Sequence, residues 1–518
     1  MNVSVLQGVP RVRAFLQSAR LTRWFIALGS GALLTLGFAP TQWWPLAILC
    51  PAVLMYLWEG AAPREAAWLG FTFNFGTFIS GTYWLYAALH NMGGTPVWVA
   101  LGLLLGLTGI MALYHAGLGY IVARWLPATG ALRWLVAVPA AWLFIEWWRG
   151  WFLSGFMWLS LGYSQTDTWL AHLAPVLGVY GISAVLLVSA GALVALLRGD
   201  KRTRIIAGAL IVLPWVAGAA LGRAEWTRAS GPPVAVAIVQ GAVPQDEKWL
   251  VENEQKTLDL YRDLAQSAFG TPLIVFPEAA LPPIFNDLVD YLRELYRDAS
   301  AQGSSVVTGI LRASDDYPSQ DSQVFNSVLA LDEKVGTVQW YDKHYLVPFA
   351  EVFPVPLSWL RMINLPYSNF TRGAQVQPPL QAAGLKLAAS ICYEDGYGSG
   401  QLPVLRHADA LVNVTNDAWF GHGSARHQHF QIARMRAIEA QRFMLRAAND
   451  GISAVIGPRG EVVAAAPGFQ RYVLRSDVTP RTGLPPYARF GNWVIVSLAA
   501  LGILAGVLAR RSRARGTN

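Results

Sequence analysis

Charge is what this chain of 518 residues has least of: Asp, Glu, Lys and Arg make up 14% of it, against roughly 25% in soluble globular proteins. That shortage excludes a single water-soluble domain as the whole of the chain, and the mean hydropathy of +0.35 agrees. Acids are scarcer still at the two ends. Only Glu59, Glu65, Glu146, Asp167 and Asp200 precede Arg223, and none follows Leu484. The chain therefore divides into an apolar block over 1–222, a mixed-charge block over 223–485 and a final apolar helix with a basic tail over 486–518. Cysteine is limited to Cys50, inside an apolar run, and Cys392, inside the mixed block. Such a pair excludes a disulfide framework and leaves two free thiols. A Gly-rich loop of the kind that cradles phosphate is also missing. The net charge of +8 sits at the ends of apolar runs instead of on one polar face, which argues against nucleic acid as a partner.

What is abundant is apolar sequence in long runs. About eight runs approach the roughly 20 helical residues needed to cross a bilayer. They lie near Trp24 to Phe38, Trp43 to Trp58, Ala67 to Leu89, Val97 to Ala123, Trp134 to Phe152, Trp169 to Leu197, Ile205 to Leu221 and Trp493 to Ala509. Arg11, Arg13, Arg20 and Arg23 come before the first run. Arg64, then Arg124 and Arg133, then Arg198, Lys201, Arg202 and Arg204 mark every second loop, and Arg510, Arg511, Arg513 and Arg515 follow the last run. Basic loops are retained in the cytoplasm, so both termini are expected there and the mixed block on the opposite, periplasmic face. A basic stretch before the first run, with Gly37 and Ala39 at its end, could pass for a cleaved signal; the further runs argue against cleavage. Trp43, Trp44, Trp84, Tyr86, Trp147, Trp148 and Trp151 fall near run ends, where amphipathic rings anchor to headgroups. Glu146 and Arg149, three apart in the fifth run, are expected to share a helix face as an ion pair, either structural or in contact with a phospholipid headgroup. His90 is read as interfacial and structural.

From Pro233 the pattern changes to short β-rich runs: Val234 to Val239, Leu273 to Phe276, Ser305 to Ile310, Val335 to Trp340, Leu387 to Cys392 and Ala410 to Val414. Four more follow at Phe443 to Ala447, Ser453 to Ile456, Glu461 to Ala465 and Tyr472 to Ser476. An α/β domain with a β-rich end is expected. Three of these runs lead into a reactive side chain: Glu278 after Leu273-Ile274-Val275-Phe276-Pro277, Lys343 after Tyr341-Asp342, and Cys392 after Ala389-Ser390-Ile391. Singly, each has a plain structural explanation as a loop acid, a surface lysine or a small strand residue. Together they are a base, a cation and a nucleophile, the set that acyl transfer through a thioester needs. A thiol titrating near about 8.5 requires a base to take its proton and a cation to hold the oxyanion that follows. His427 and His429 invite a metal reading, but two residues apart they do not share a helix face, and no metal is expected. The helix carrying Arg434, Arg436, Glu439 and Arg442 reads as structural.

With these stretches in view, the mixed block resembles the carbon-nitrogen hydrolases, or nitrilases, whose Glu-Lys-Cys triad sits in the same three contexts. Matching stretches include Gln240-Gly241 with Lys248-Trp249, Pro277-Glu278-Ala279-Ala280, Lys343-His344 through Val347-Pro348-Phe349 to Glu351, Cys392-Tyr393-Glu394, and Asn413 through Asn416-Asp417. Over nearly its full length the chain is similar to the apolipoprotein N-acyltransferase family, in which a nitrilase domain lies between a bundle of membrane helices and one last helix. The resemblance implies an α-helical transmembrane bundle of about eight helices joined to a periplasmic α-β-β-α sandwich. It implies Glu278 as general base, Lys343 as oxyanion stabiliser and Cys392 as nucleophile, with Glu351, Tyr393 and Glu394 in support. Trp249 would lie near an acyl-chain entrance, with core packing as its alternative. No cofactor is implied. The donor would be a phospholipid, typically phosphatidylethanolamine through its sn-1 chain, and the acceptor a diacylglyceryl-modified apolipoprotein, in the bacterial inner membrane. The segment Val355 to Leu360 is a candidate membrane-facing lid, with ordinary loop packing as its alternative. Two rival readings use the same residues: a membrane-anchored amidase or nitrilase acting on a small nitrogenous substrate, and a transporter or scaffold whose polar domain only binds ligand.

Overall fold

A computed structural model describes residues 20–152, 155–319, 321–352 and 369–515; Arg11, Arg13 and the Val355 to Leu360 segment lie outside them. All eight apolar runs contain helix. The bundle comprises α1 (Arg20–Leu34), α2 (Leu46–Leu57), α3 (Pro63–Gly81), α4 (Val97–Trp125), α5 (Val138–Arg149), α6 (Ala174–Arg198) and α7 (Lys201–Leu221). Among the described residues four stretches are long and apolar enough to cross a membrane: Val97–Trp125, Trp169–Arg198, Lys201–Leu221 and Trp493–Arg513. Glycine lets the backbones of α3 and α4 touch. A Cβ on Gly70 would stand 2.1 Å from His115 O, and one on Gly119 equally close to Ala66 O, so only glycine permits this approach.

Side-chain contacts collect the basic loops at one end of this bundle. Arg23 pairs with Glu65, Arg198 lies 3.0 Å from Glu59, and Arg510 donates to Leu126 O at 2.8 Å. Arg133, expected in a loop, is instead buried in a helical turn and donates to Pro127 O and Trp58 O. It ties helix ends together because orphan carbonyls there need donors. Glu146 and Arg149 lie close enough for their charges to interact, as expected, but make no direct ion pair. Both are buried, but each turns to the 156–161 segment: Arg149 donates to Phe156 O at 2.7 Å and Trp158 O at 2.8 Å, while Glu146 accepts from Leu161 N at 3.3 Å. Backbone groups in a non-helical stretch within the bundle have no helix partners, and these two side chains supply them. His90 Nδ1 lies 2.8 Å from Thr95 O, closing a local turn.

The polar block forms two six-stranded sheets. In chain order the strands are β1 (Val234–Gln240), β2 (Leu273–Val275), β3 (Ser305–Ala313), β4 (Val324–Leu331), β5 (Gln339–Asp342), β6 (Leu380–Ala382), β7 (Leu385–Ile391), β8 (Ala410–Thr415), β9 (Met444–Ala448), β10 (Ala454–Ile456), β11 (Val462–Ala465) and β12 (Tyr472–Val478). One sheet runs β12-β1-β2-β3-β4-β5 and the other β11-β10-β9-β8-β7-β6, with β1-β2-β3 and β7-β8-β9 parallel. Strand alternation builds the layers. Val236 and Ile238 of β1 face the other sheet's Ile391, Val412 and Val414, whereas Ala237 and Val239 pack outward on Leu258 and Tyr261 of α8 (Glu254–Ala268). Helix α9 (Val289–Ser300) covers the same sheet. On the far side Ala433 and Ala437 of α10 (Ala425–Ala440) pack on Leu411 and Met444. The α-β-β-α order follows. The strand expected at Val335 to Trp340 is displaced to Gln339–Asp342, and β4 was not anticipated at all. Helix α11 (Trp493–Arg515) then returns to the bundle against α5.

Candidate active site

Strand ends deliver Glu278, Lys343 and Cys392 to one place. Glu278 stands just beyond β2, and its backbone presses on β3 where only glycine fits: a Cβ on Gly309 would lie 2.5 Å from Glu278 Cα. Its Oε1 accepts from Asn326 Nδ2 at 2.7 Å and faces Lys343 Nζ at 3.4 Å, and its Oε2 accepts from Asn416 N at 2.9 Å. Lys343, one residue past β5, is buried and donates to Glu351 Oε1 at 2.8 Å. Burial alone would lower its pKa, but the charges of Glu351 and Glu278 outweigh that and hold the ammonium protonated. Glu351 is fixed in turn by Asn326 Nδ2 at 3.2 Å and Val347 N at 2.8 Å.

Cys392 follows β7 directly with φ of 50°, in the left-handed region. A non-glycine residue there marks a sharp turn that lifts its side chain off the strand. Burial pushes the thiol up; the Glu278 charge adds to that and Lys343 opposes it. The nucleophile candidate thus feels both other members of the set. It also packs against two apolar cores, the one between the sheets and the one inside the helix bundle. Glu394 braces the turn from the other side, accepting from Ile391 N at 2.9 Å, His344 N at 2.8 Å, Tyr345 N at 3.0 Å and Tyr341 Oη at 2.9 Å. Burial nevertheless pushes its carboxyl up to about 7. Tyr393 donates to Gly155 O at 2.9 Å and stacks on Trp158 with centroids 6.2 Å apart and planes within 7°. Bundle and sandwich meet on these rings.

Residues 30–192 match the apolipoprotein N-acyltransferase N-terminal domain family, and residues 235–483 match the carbon-nitrogen hydrolase family. The chain is 40% identical over 494 residues to an apolipoprotein N-acyltransferase of Methylococcus capsulatus, with 94% of this chain and 96% of that one aligned. It is 40% identical over 493 residues to another from Chromobacterium violaceum, covering 93% of each. The chain belongs to the apolipoprotein N-acyltransferase family. Among solved structures, a carbon-nitrogen hydrolase from Helicobacter pylori G27 aligns with 48% of this chain and 89% of its own, at 18% identity and a TM-score of 0.36.

In this family member the expected site residues separate into two groups. Glu278, Lys343, Cys392, Glu351, Tyr393 and Glu394 come together. Trp249, Glu146 and Arg149 do not join them. Trp249 is 45% exposed, which removes core packing as its explanation. Glu146 and Arg149 hold the segment that carries Trp158. Three residues without an expected role stand at the site. Asn326 bridges two of the carboxylates, Lys248 is buried with Nζ 3.3 Å from Glu278 O, and His429 reaches the Cys392 carbonyl. An Asn in the largely apolar β4 is the one sequence signal for the first.

Proposed function

We propose that this chain transfers a fatty acyl group from a phospholipid to the α-amine of a diacylglyceryl-cysteine at a lipoprotein N-terminus, through a thioester on Cys392. In the first step Glu278 takes the thiol proton and the sulfur attacks the ester carbonyl. Lys343 holds the oxyanion, and the ester C–O bond breaks. The proton passes from Glu278 to the departing lysophospholipid alcohol. In the second step the amine attacks the thioester, gives up a proton to Glu278, and the thiolate leaves as the amide forms. Glu351 keeps Lys343 charged, while Glu394 and Tyr393 fix the turn around Cys392. Trp249 guards the acyl-chain approach, and Glu146 and Arg149 act one step away by holding the Trp158 segment.

The observation that carries this reading is the position of Cys392, which packs against the apolar core of the helix bundle as well as the core between the sheets. A donor and an acceptor both anchored in a bilayer need a site at that junction; a small soluble amide does not. The same reading assigns residues 1–222 and 486–518 to an eight-span inner-membrane bundle with both termini cytoplasmic, and 223–485 to a periplasmic catalytic domain. Phosphatidylethanolamine is the donor to try first. Intact-mass measurement after incubation with that lipid tests the proposal against Cys392→Ser. An acyl-sized gain on wild type alone, discharged by a diacylglyceryl-cysteine peptide, is expected; discharge only to water would favour a hydrolase, and no adduct would sink the reading.

A further inference from the structure

The Cys392 turn is held from behind by a closed ring of buried polar side chains. His429, on α10, places Nε2 3.1 Å from Cys392 O. Its Nδ1 lies 2.8 Å from Asp417 Oδ1 and 3.0 Å from Arg446 Nη2. Arg446 donates from Nη2 to Asp417 Oδ2 at 3.0 Å, and from Nη1 to Asp395 Oδ2 at 3.1 Å and Asn413 Oδ1 at 2.8 Å. Asp395 Oδ1 accepts from Ser390 Oγ at 3.0 Å, two residues before the nucleophile. His429, Asp417, Arg446 and Asp395 are each no more than 1% exposed.

The chemistry of the acceptor settles one proton. A carbonyl oxygen only accepts, so Nε2 of His429 carries a hydrogen whichever of its two neighbours Nδ1 serves. That hydrogen bond fixes the carbonyl of a residue whose backbone is in the left-handed region, and so fixes where Sγ points. We propose that His429 is a positioning residue for acylation: it holds the Cys392 carbonyl, keeps the turn in its reactive form and sets Sγ relative to Glu278 and Lys343. The proposal rests on Cys392 as the nucleophile. It gives α10, which also packs into the helix bundle, a direct hold on the reacting residue.

Two shortened side chains separate this role from a merely structural one. In His429→Gln the terminal amide reaches as far as Nε2 and still donates to Cys392 O; in His429→Asn it reaches only as far as Nδ1, to Asp417. The rate of acyl-adduct formation, read by intact mass on the full chain with phosphatidylethanolamine, is expected to fall less than about 10-fold in Gln and more than about 100-fold in Asn, with the lipid concentration for half-maximal rate unchanged. Equal rates in the two variants, or Asn faster than Gln, would overturn the proposal. Wild type and Cys392→Ser run alongside: no adduct on wild type would remove the function reading and this inference with it, whereas a wild type that acylates isolates the failure to His429.

Discussion

Lys343 Nζ lies 2.8 Å from Glu351 Oε1, closer than the 3.4 Å that separates it from Glu278. The tighter pair anchors the ammonium beside Glu278, and both carboxylates hold it protonated. In Glu351→Gln the lysine loses its closer carboxylate anchor, so Nζ is no longer held where the oxyanion forms. Acyl-adduct formation is expected to slow by about 100-fold, measured as the rate of mass gain, with the protein still folded.

Glu278 raises the Cys392 pKa by its charge, and in the proposed mechanism it is also the base. Those two roles pull in opposite directions in Glu278→Gln. Removing the carboxylate charge lowers the thiol pKa, so alkylation of Cys392 by iodoacetamide at neutral pH is expected to speed up several-fold. Acyl transfer by the same variant is expected to fall by about 10²- to 10⁴-fold, because no group takes the proton. Slower alkylation alongside lost transfer would instead mean that Glu278 only shapes the site.

Burial raises the Glu394 carboxyl from its ordinary 4.5 to about 7. The folded protein therefore holds a proton that the unfolded chain has released between those values. The sign follows from linkage: this stability is fully present below about 4.5 and is lost as pH rises through about 7. Thermal midpoints in detergent from pH 5 to 8 should fall less steeply in Glu394→Gln than in wild type. Parallel slopes would remove Glu394 from the account.

Gln428 Oε1 accepts from Trp158 Nε1 at 2.8 Å and Trp84 Nε1 at 3.2 Å, joining α10 to two bundle segments. In Gln428→Leu the buried Trp158 indole loses its acceptor, at about 1–3 kcal/mol, while Trp84 keeps Gly81 O at 3.1 Å. A lower thermal midpoint is expected, together with slower acylation because Trp158 stacks on Tyr393. An unchanged midpoint would count against the contact as a stabilising one.

Much of the site was legible because Glu278 and Cys392 follow the apolar strands β2 and β7, and such ends are readable one at a time. Asn326 escaped because it and Ser327 interrupt the apolar pattern of β4; Asn326 turns to the site, whereas Ser327 turns to Asp342. A run at Val335 to Trp340 drew the assignment instead, although Val335 and Gly336 form a turn whose amides both bond back to Asp332 O. The i, i+3 spacing of Glu146 and Arg149 correctly put both on one helix, but pairing ignored the non-helical segment at 156–161, whose unmet backbone groups compete for the same charges. From sequence, His429 reads only as half of a His427–His429 pair that a helix face cannot bring together. Its contact with Cys392 spans 37 residues, and no local pattern encodes a contact of that range. The helix bundle was visible in outline from hydropathy and basic loops, while helix ends depended on packing that hydropathy does not report.

Helix α10 presents Ala433 and Ala437 to the sheet and Ile432, Met435 and Ile438 to the bundle core, and its Glu439 accepts from Val179 N where α6 breaks at Gly178. The outer layer of the sandwich is thus also an inner layer of the bundle. An excised catalytic domain would expose that second face to water and aggregate, and a chimera that took its sandwich from one relative and its bundle from another would mismatch along a single helix. The two halves can diverge only together, with α10 as the part whose sequence must satisfy both at once.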